Sequence, residues 1–194
     1  MKTFERLGRV LAVSLALAAV AAGCTSQQPG TATRGESAPR AAGGMGTDVR
    51  SMQPAQFAAI AGGNGMYEVQ VSRLAMNRAN SGSVQDYART LVDHHTRANN
   101  ELIALLRAKG IKPPDMIPRD KRVKLDRLSS VPARQFDRMY IQTVGIEDHE
   151  ADIAVFERAS REVADPELHA FAQKTLPVLR SHLDAARSLA ATTR

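Results

Sequence analysis

Glu68, His95, His149 and His182 each fall on a different stretch of helical periodicity, at a core-facing position near the middle of that stretch. Around His95, the positions Val84, Ala88, Leu91, Ala98, Leu102 and Leu105 follow alternating steps of four and three, and the histidine is the only polar member. Around His182, the same rhythm runs through Leu168, Ala172, Thr175, Leu179, Ala186 and Leu189. His149 lies between Ile146 and Ile153, and Glu68 shares a stripe with Phe57, Ala61 and Val71. Reversing a helix leaves its centre in place, so the four groups are expected in one layer whatever the topology. Buried without partners they would be costly, because a carboxylate and an imidazole each need their polar atoms matched. Imidazole and carboxylate together are ligands for Zn, Mn or Fe, and bundle interiors commonly hold such sites. The expected chemistry is therefore one divalent metal held by Glu68, His95, His149 and His182. The other reading is a non-catalytic envelope interaction or structural module, with partners docking outside. Its buried hydrogen-bonded network only fixes helix register, with Glu68 on one histidine and the rest satisfied by water or Tyr140.

A paired-metal site is not expected. Di-iron bundles use two Glu-x-x-His motifs and two further glutamates, whereas Val92 and Leu179 stand three residues before His95 and His182. One glutamate and three neutral rings suit a single ion at most, unless Glu150, Asp148 or His94 turns inward. His149-Glu150 does not open a zincin motif, since Ile153 occupies the place of the second histidine. Gly-rich phosphate loops, Gly-x-Ser-x-Gly and Cys-x-x-Cys are absent. No catalytic activity is assigned from these residues. An open metal position that activates oxygen or peroxide is the third reading.

The elements that must position these groups read as all-α. Helix one is expected over about Gln53 to Asn80, with Gly62, Gly63 and Gly65 marking a kink or break. Helix two follows the Ser81-Gly82 turn with Ser83 as N-cap, and ends at Gly110. Ile111 to Pro118 holds three prolines and is not helical. A short basic helix covers Asp120 to Leu128, with Val123, Leu125 and Leu128 packing and Arg119, Lys121, Arg122, Lys124 and Arg127 forming a solvated face. Helix three runs from near Pro132 to about Val163, with Phe136, Met139, Tyr140, Thr143, Ile146, Ile153 and Phe156 inward. Asp165-Pro166 opens helix four, which Pro177 should bend. Two hairpins joined by a linker of about 20 residues suit a four-helix bundle with a long crossover, as in ferritin-like topology. His169, near the start of helix four, is expected to be exposed.

The chain also carries an address. Lys2, Arg6 and Arg9 precede an apolar run from Val10 to Ala22, too short for a comfortable membrane span. The run ends Ala21-Ala22-Gly23-Cys24, which resembles a bacterial lipobox and implies cleavage before Cys24 and acylation of that lone cysteine. Residues 1–23 are then a lipoprotein signal peptide, 24–51 a lipidated cysteine and flexible Gly/Ala/Ser/Pro tether, and 52–192 the folded domain. Thr25, rather than aspartate, after the cysteine points to an outer membrane facing the periplasm. Formal charge is +6, of which the signal removes a net +2, leaving +4. The membrane, reached through the lipid, is thus the expected partner; nucleic acid is not.

From Met52 to Leu189 the chain resembles the DUF4142 family of exported or lipid-anchored bacterial proteins. The resemblance rests on Phe57-Ala58-Ala59 leading to Glu68-Val69, and on Leu91-Val92-Asp93-His94-His95-Thr96-Arg97-Ala98-Asn99. It continues through Phe136-Asp137-Arg138-Met139-Tyr140 leading to His149, and Leu176-Pro177 leading to His182-Leu183. His94 stands where the family pattern has aspartate, and His95 takes the family histidine. The resemblance implies a ferritin-like four-helix fold and export, with no established activity.

Overall fold

Alanine-rich stretches without β-branched alternation fold as helices throughout the described part of the chain, residues 51–192 of a computed structural model. The signal segment, Cys24 and all but the last residue of the expected tether lie outside the described residues. The elements are α1 (Pro54–Arg78), α2 (Gly82–Ala108), α3 (Arg119–Ser129), α4 (Ala133–Tyr140), a π-helical segment (Ile141–Asp148), α5 (His149–Glu162) and α6 (Pro166–Thr192). The α4–π–α5 stretch is one continuous rod. It packs with α6, α6 with α2, α2 with α1, and α1 back against α4 and α5, so four rods close a ring. The short α3 lies over α1 and α4. None of the described helices is long and apolar enough to cross a membrane.

Two helix ends are set by a single local residue. Gly110 adopts φ 66°, and Ile111 N–H donates to Leu106 O (2.9 Å) while Gly110 N–H donates to Arg107 O (3.1 Å). This is a Schellman ending, which closes α2 at the expected glycine. Asp165 Oδ1 accepts from Glu167 and Leu168 N–H at 3.1 and 3.0 Å, capping α6 ahead of Pro166. The start of α2 differs from expectation: it begins at Gly82 with Ser81, not Ser83, at its N-cap. The turn ahead of it is held from a distant rod, where the Asp137 carboxylate takes Asn80 N–H at 2.9 Å and Ser81 N–H at 2.8 Å.

Three further expectations are corrected. Helix one does not break at its glycines; α1 runs straight through them. They are notches for neighbours instead. A Cβ on Gly62 would lie 2.5 Å from Pro114 Cγ, and one on Gly63 2.9 Å from Pro118 Cγ, so the crossover linker seats its prolines in α1. Helix three is not a uniform α-helix. Its wider turns rotate the inward stripe, burying Ile141, Val144, Asp148 and Asp152. Met139 is exposed, and Thr143 and Ile146 are only partly buried. The basic linker helix is only in part a solvated face. Arg119, Arg122 and Arg127 are exposed and Leu128 packs in the core as expected, but Lys121 is buried, Lys124 is partly buried, and Val123 is exposed instead of packed. Pro177 sits inside α6, which continues across it.

The apolar core divides in two. One cluster contains Tyr67, Val71, Leu91, Tyr140, Val144 and Ala186; the other contains Phe57, Ala61, Leu102, Phe156, Phe171 and Leu179. On each rod the expected polar residue falls between members of the two clusters: Glu68 between Ala61 and Val71, His95 between Leu91 and Leu102, His149 between Val144 and Phe156, His182 between Leu179 and Ala186. The polar layer separates two apolar halves at mid-height.

Candidate metal centre

Three of the four expected residues converge. His95 on α2, His149 at the start of α5 and His182 on α6 are all buried, and each offers a ring nitrogen within 4.8 Å of the others. His149 Nε2 and His182 Nδ1 are 3.2 Å apart. Two nitrogens on one tetrahedral zinc, with Zn–N of about 2.0–2.1 Å, sit about 3.4 Å apart, so this pair already stands at ligand spacing. Their rings meet edge to face at 5.2 Å between centroids, and His95 lies 5.6 and 5.4 Å from the His149 and His182 rings.

The π-helical segment sets the pose of His149. Its Nδ1–H donates to Val144 O at 2.8 Å, five residues back, in the widened turn. That leaves Nε2 as the nitrogen with a free lone pair. Gly145 in the same turn allows α6 to approach, because a Cβ there would lie 2.7 Å from Ala186 Cβ. Tyr87 O–H donates to His182 O at 3.2 Å, tying α6 to α2 at the same level.

Glu68 is fully buried on α1 but lies outside the three-histidine set. The expected hydrogen bond from Glu68 to a histidine is not formed, and Tyr140 O–H pairs with Ser72 Oγ (2.8 Å) instead of a ring. Both Glu68 oxygens and His95 Nε2 are buried with no hydrogen-bond partner. Unmatched buried polar atoms of this kind are rare and call for a ligand. Burial raises the Glu68 carboxyl well above the ordinary range, and the negative charges of Asp152 and Asp148 add to the effect. Burial also lowers the histidines. His182 falls to about 3 through burial and then its neighbours His149 and His94. His95 falls well below its usual value from burial and from the His149, His182 and His94 rings, and His149 falls mainly from burial. All three rings are therefore neutral at pH 7, the state that binds a metal.

A second buried polar group borders the first and was not expected in full. Asp148 accepts from Lys121 Nζ (2.7 Å) and Lys124 Nζ (2.5 Å) on one oxygen and from Tyr67 O–H (3.1 Å) on the other. Asp152 accepts from Asn64 at 2.6 Å, and burial raises its carboxyl to about 6. Asp152 lines both an open cleft of about 570 Å³ beside α3 and an inner cavity of about 20 Å³ beside His95. The inner cavity has room for about one water. Of the residues named as able to turn inward, Asp148 does so and His94 reaches His182, while Glu150 stays exposed and pairs with Arg187 at 2.9 Å. His169 is partly exposed, and its ring Nε2 lies 2.9 Å from Gln173 Nε2. The Lys121-x-x-Lys124 and Asp148-x-x-x-Asp152 spacings were the available signals, each placing two charges on one helix face.

Comparison with solved structures places the same fold in a secreted DUF305 protein from Streptomyces coelicolor, with a TM-score of 0.62 at 14% identity over 72% of this chain and 91% of that one. No curated protein matches the chain. The family model described as a domain of unknown function, DUF4142, matches residues 38–189, and the chain belongs to that family.

Proposed function

We propose that this domain binds one divalent metal ion in its core through His95, His149 and His182, with Glu68 supplying nearby negative charge, and serves metal handling or stress protection at the cell envelope. The orphaned atoms carry the reading. A hydrogen-bonded network accounts for His149 and His182, yet it leaves His95 Nε2 and both Glu68 oxygens unmatched. A cation at the meeting point of the rings would occupy the first and would draw the Glu68 carboxyl into its ionised form. Three imidazoles favour Zn or Fe over Mn, whose preference is for oxygen. The inner cavity beside His95 leaves space for one exogenous ligand. Export and lipidation at Cys24 extend the proposal to the envelope, with the outer membrane as destination. They rest on the signal-like N-terminus.

The test is metal analysis of the full chain purified without a His-tag. The expected result is about one equivalent of Zn or Fe, absent from His149→Ala. Saturating metal, at roughly 100 times its Kd, adds about 2.7 kcal/mol and raises Tm by several degrees. Metal content near zero, with no thermal shift on adding Zn, Mn or Fe, would leave the register-fixing network as the surviving reading. Mass spectrometry of the N-terminal peptide from membranes checks acylation of Cys24.

A further inference from the structure

The geometry points to His94 as a positioning residue for this centre, the outer partner that sets which nitrogen of His182 is free to ligate. The inference rests on the metal reading above and concerns a side chain outside the ligand set.

His94 and His182 stack at 5.1 Å with a 22° tilt, and His94 Nδ1 lies 2.8 Å from His182 Nε2. His182 Nδ1 in turn lies 3.2 Å from His149 Nε2, and His149 Nδ1 lies 2.8 Å from Val144 O. The last link fixes the order of the whole chain. A carbonyl oxygen only accepts, so His149 carries its hydrogen on Nδ1 and accepts on Nε2. His182 then donates from Nδ1 and accepts on Nε2, and His94 donates from Nδ1. Burial keeps His149 and His182 neutral, so each ring has one hydrogen to place. His94 is only partly buried and lines an open cleft of about 370 Å³ with Thr175 and Val178. Its Nε2 has no partner among the described residues and is left to water.

This order blocks the site as it stands. His182 Nδ1, the nitrogen beside His149, carries the hydrogen that a metal must replace. Ligation therefore requires His182 to hold its hydrogen on Nε2 and donate it to His94 Nδ1. One proton leaves His182 Nδ1 for solvent, one passes from His94 Nδ1 to His182 Nε2, and His94 Nε2 takes one from water. The three rings keep the same number of hydrogens, and no oxidant or reductant is involved. An imidazole at position 94 can act in both directions, because its Nδ1 donates in one form and accepts in the other. Outer partners of metal-bound histidines commonly contribute 10–100-fold in affinity.

Nitrogen-15 NMR of the imidazoles in the full chain tests the order directly, alongside Zn affinity by competition with a chelator. In the metal-free protein His182 should carry hydrogen on Nδ1, and after Zn addition on Nε2. His94→Phe, which keeps a ring but no polar atom, should weaken Zn binding about 10–100-fold. His94→Asn, whose amide can donate or accept near the Nδ1 position, should restore most of it. Wild-type affinity in His94→Phe, equal loss in both variants, or Nε2–H on His182 before Zn addition would each overturn the role of His94 while leaving the centre in place. Failure of the wild-type chain to bind Zn would instead remove the metal reading, and the positioning role with it. Should His94→Phe not fold, the Asn variant and the metal-free spectrum still decide.

Discussion

At Glu68 a fully buried carboxyl touches no donor, and this isolation gives the residue a signature no surface glutamate has. Replacing it by glutamine keeps its shape and removes the cost of its charged form. Glu68→Gln should match the metal-free wild type near pH 4 and exceed its stability by a widening margin as pH rises towards 8.5, while shrinking the rise in Tm on adding Zn; thermal scans with and without Zn read both effects. A loss of stability at every pH would mean that the carboxylate has a partner in solution. The histidines were legible in the sequence because a polar residue stands out on an apolar period. His94 was legible only as a residue able to turn inward, since its contact with His182 exists only once α6 packs against α2. That Glu68 should share the layer could be read from its stripe; that it lies apart from the rings could not.

Among the elements, the π-helical segment has no marker in local propensity, and its causes are tertiary. Gly145 admits Ala186 and Tyr87, and Asp148 is drawn in by Lys121, Lys124 and Tyr67 from two other helices. A strict helical period extrapolated through residues 141–148 therefore set Thr143 inward, where it is only partly buried, and missed Asp152; Ile146 packs against the core from a partly buried position, and Met139, ahead of the segment, is exposed. Helix ends were legible where one residue decides the geometry, as at Gly110 and Asp165. They were not legible at the start of α2, where the preceding turn is held by Asp137, 56 positions from Ser81. Gly145→Ala puts a methyl 2.7 Å from Ala186 Cβ, a contact with no flexible end to yield. Its expected cost is about 1–3 kcal/mol by urea denaturation. Because α6 carries His182, metal affinity should fall with it. An unchanged urea midpoint would show that α6 shifts freely.

For the molecule as a whole, buried rings and buried carboxyls pull stability in opposite directions with pH. In the unfolded chain histidines protonate near pH 6.5, whereas folded His182 stays neutral down to about 3, with His95 and His149 shifted the same way. Their contribution is present above the unfolded value and is lost as pH falls. Asp152, raised to about 6, and Glu68, raised well above its ordinary range by burial, hold protons that the unfolded chain releases near pH 4. Their contribution is present at low pH and is lost as pH rises through the folded values. Three rings against two carboxyls leave a net rise towards pH 6, at about 1.4 kcal/mol per pH unit for one proton. Once the rings are neutral in both states they stop adding stability, and the raised Glu68 carboxyl then opposes folding as pH rises. The metal-free domain should be most stable near pH 6–7, as urea unfolding at pH 4.5, 6.5 and 8.5 would show. A steady gain up to pH 8.5 would contradict the state assigned to Glu68.

The nearest two of the three rings along the chain, His149 and His182, are 33 positions apart, and His95 belongs to the opposite hairpin. An extended polypeptide with that spacing keeps only the adjacent His94–His95 pair as a local donor set, which holds an ion far more weakly than three converging rings. Occupancy would then track the assembled state, and free metal would act on folding with little competition from the denatured ensemble. Scarcity would leave the bundle to stand on its two apolar halves.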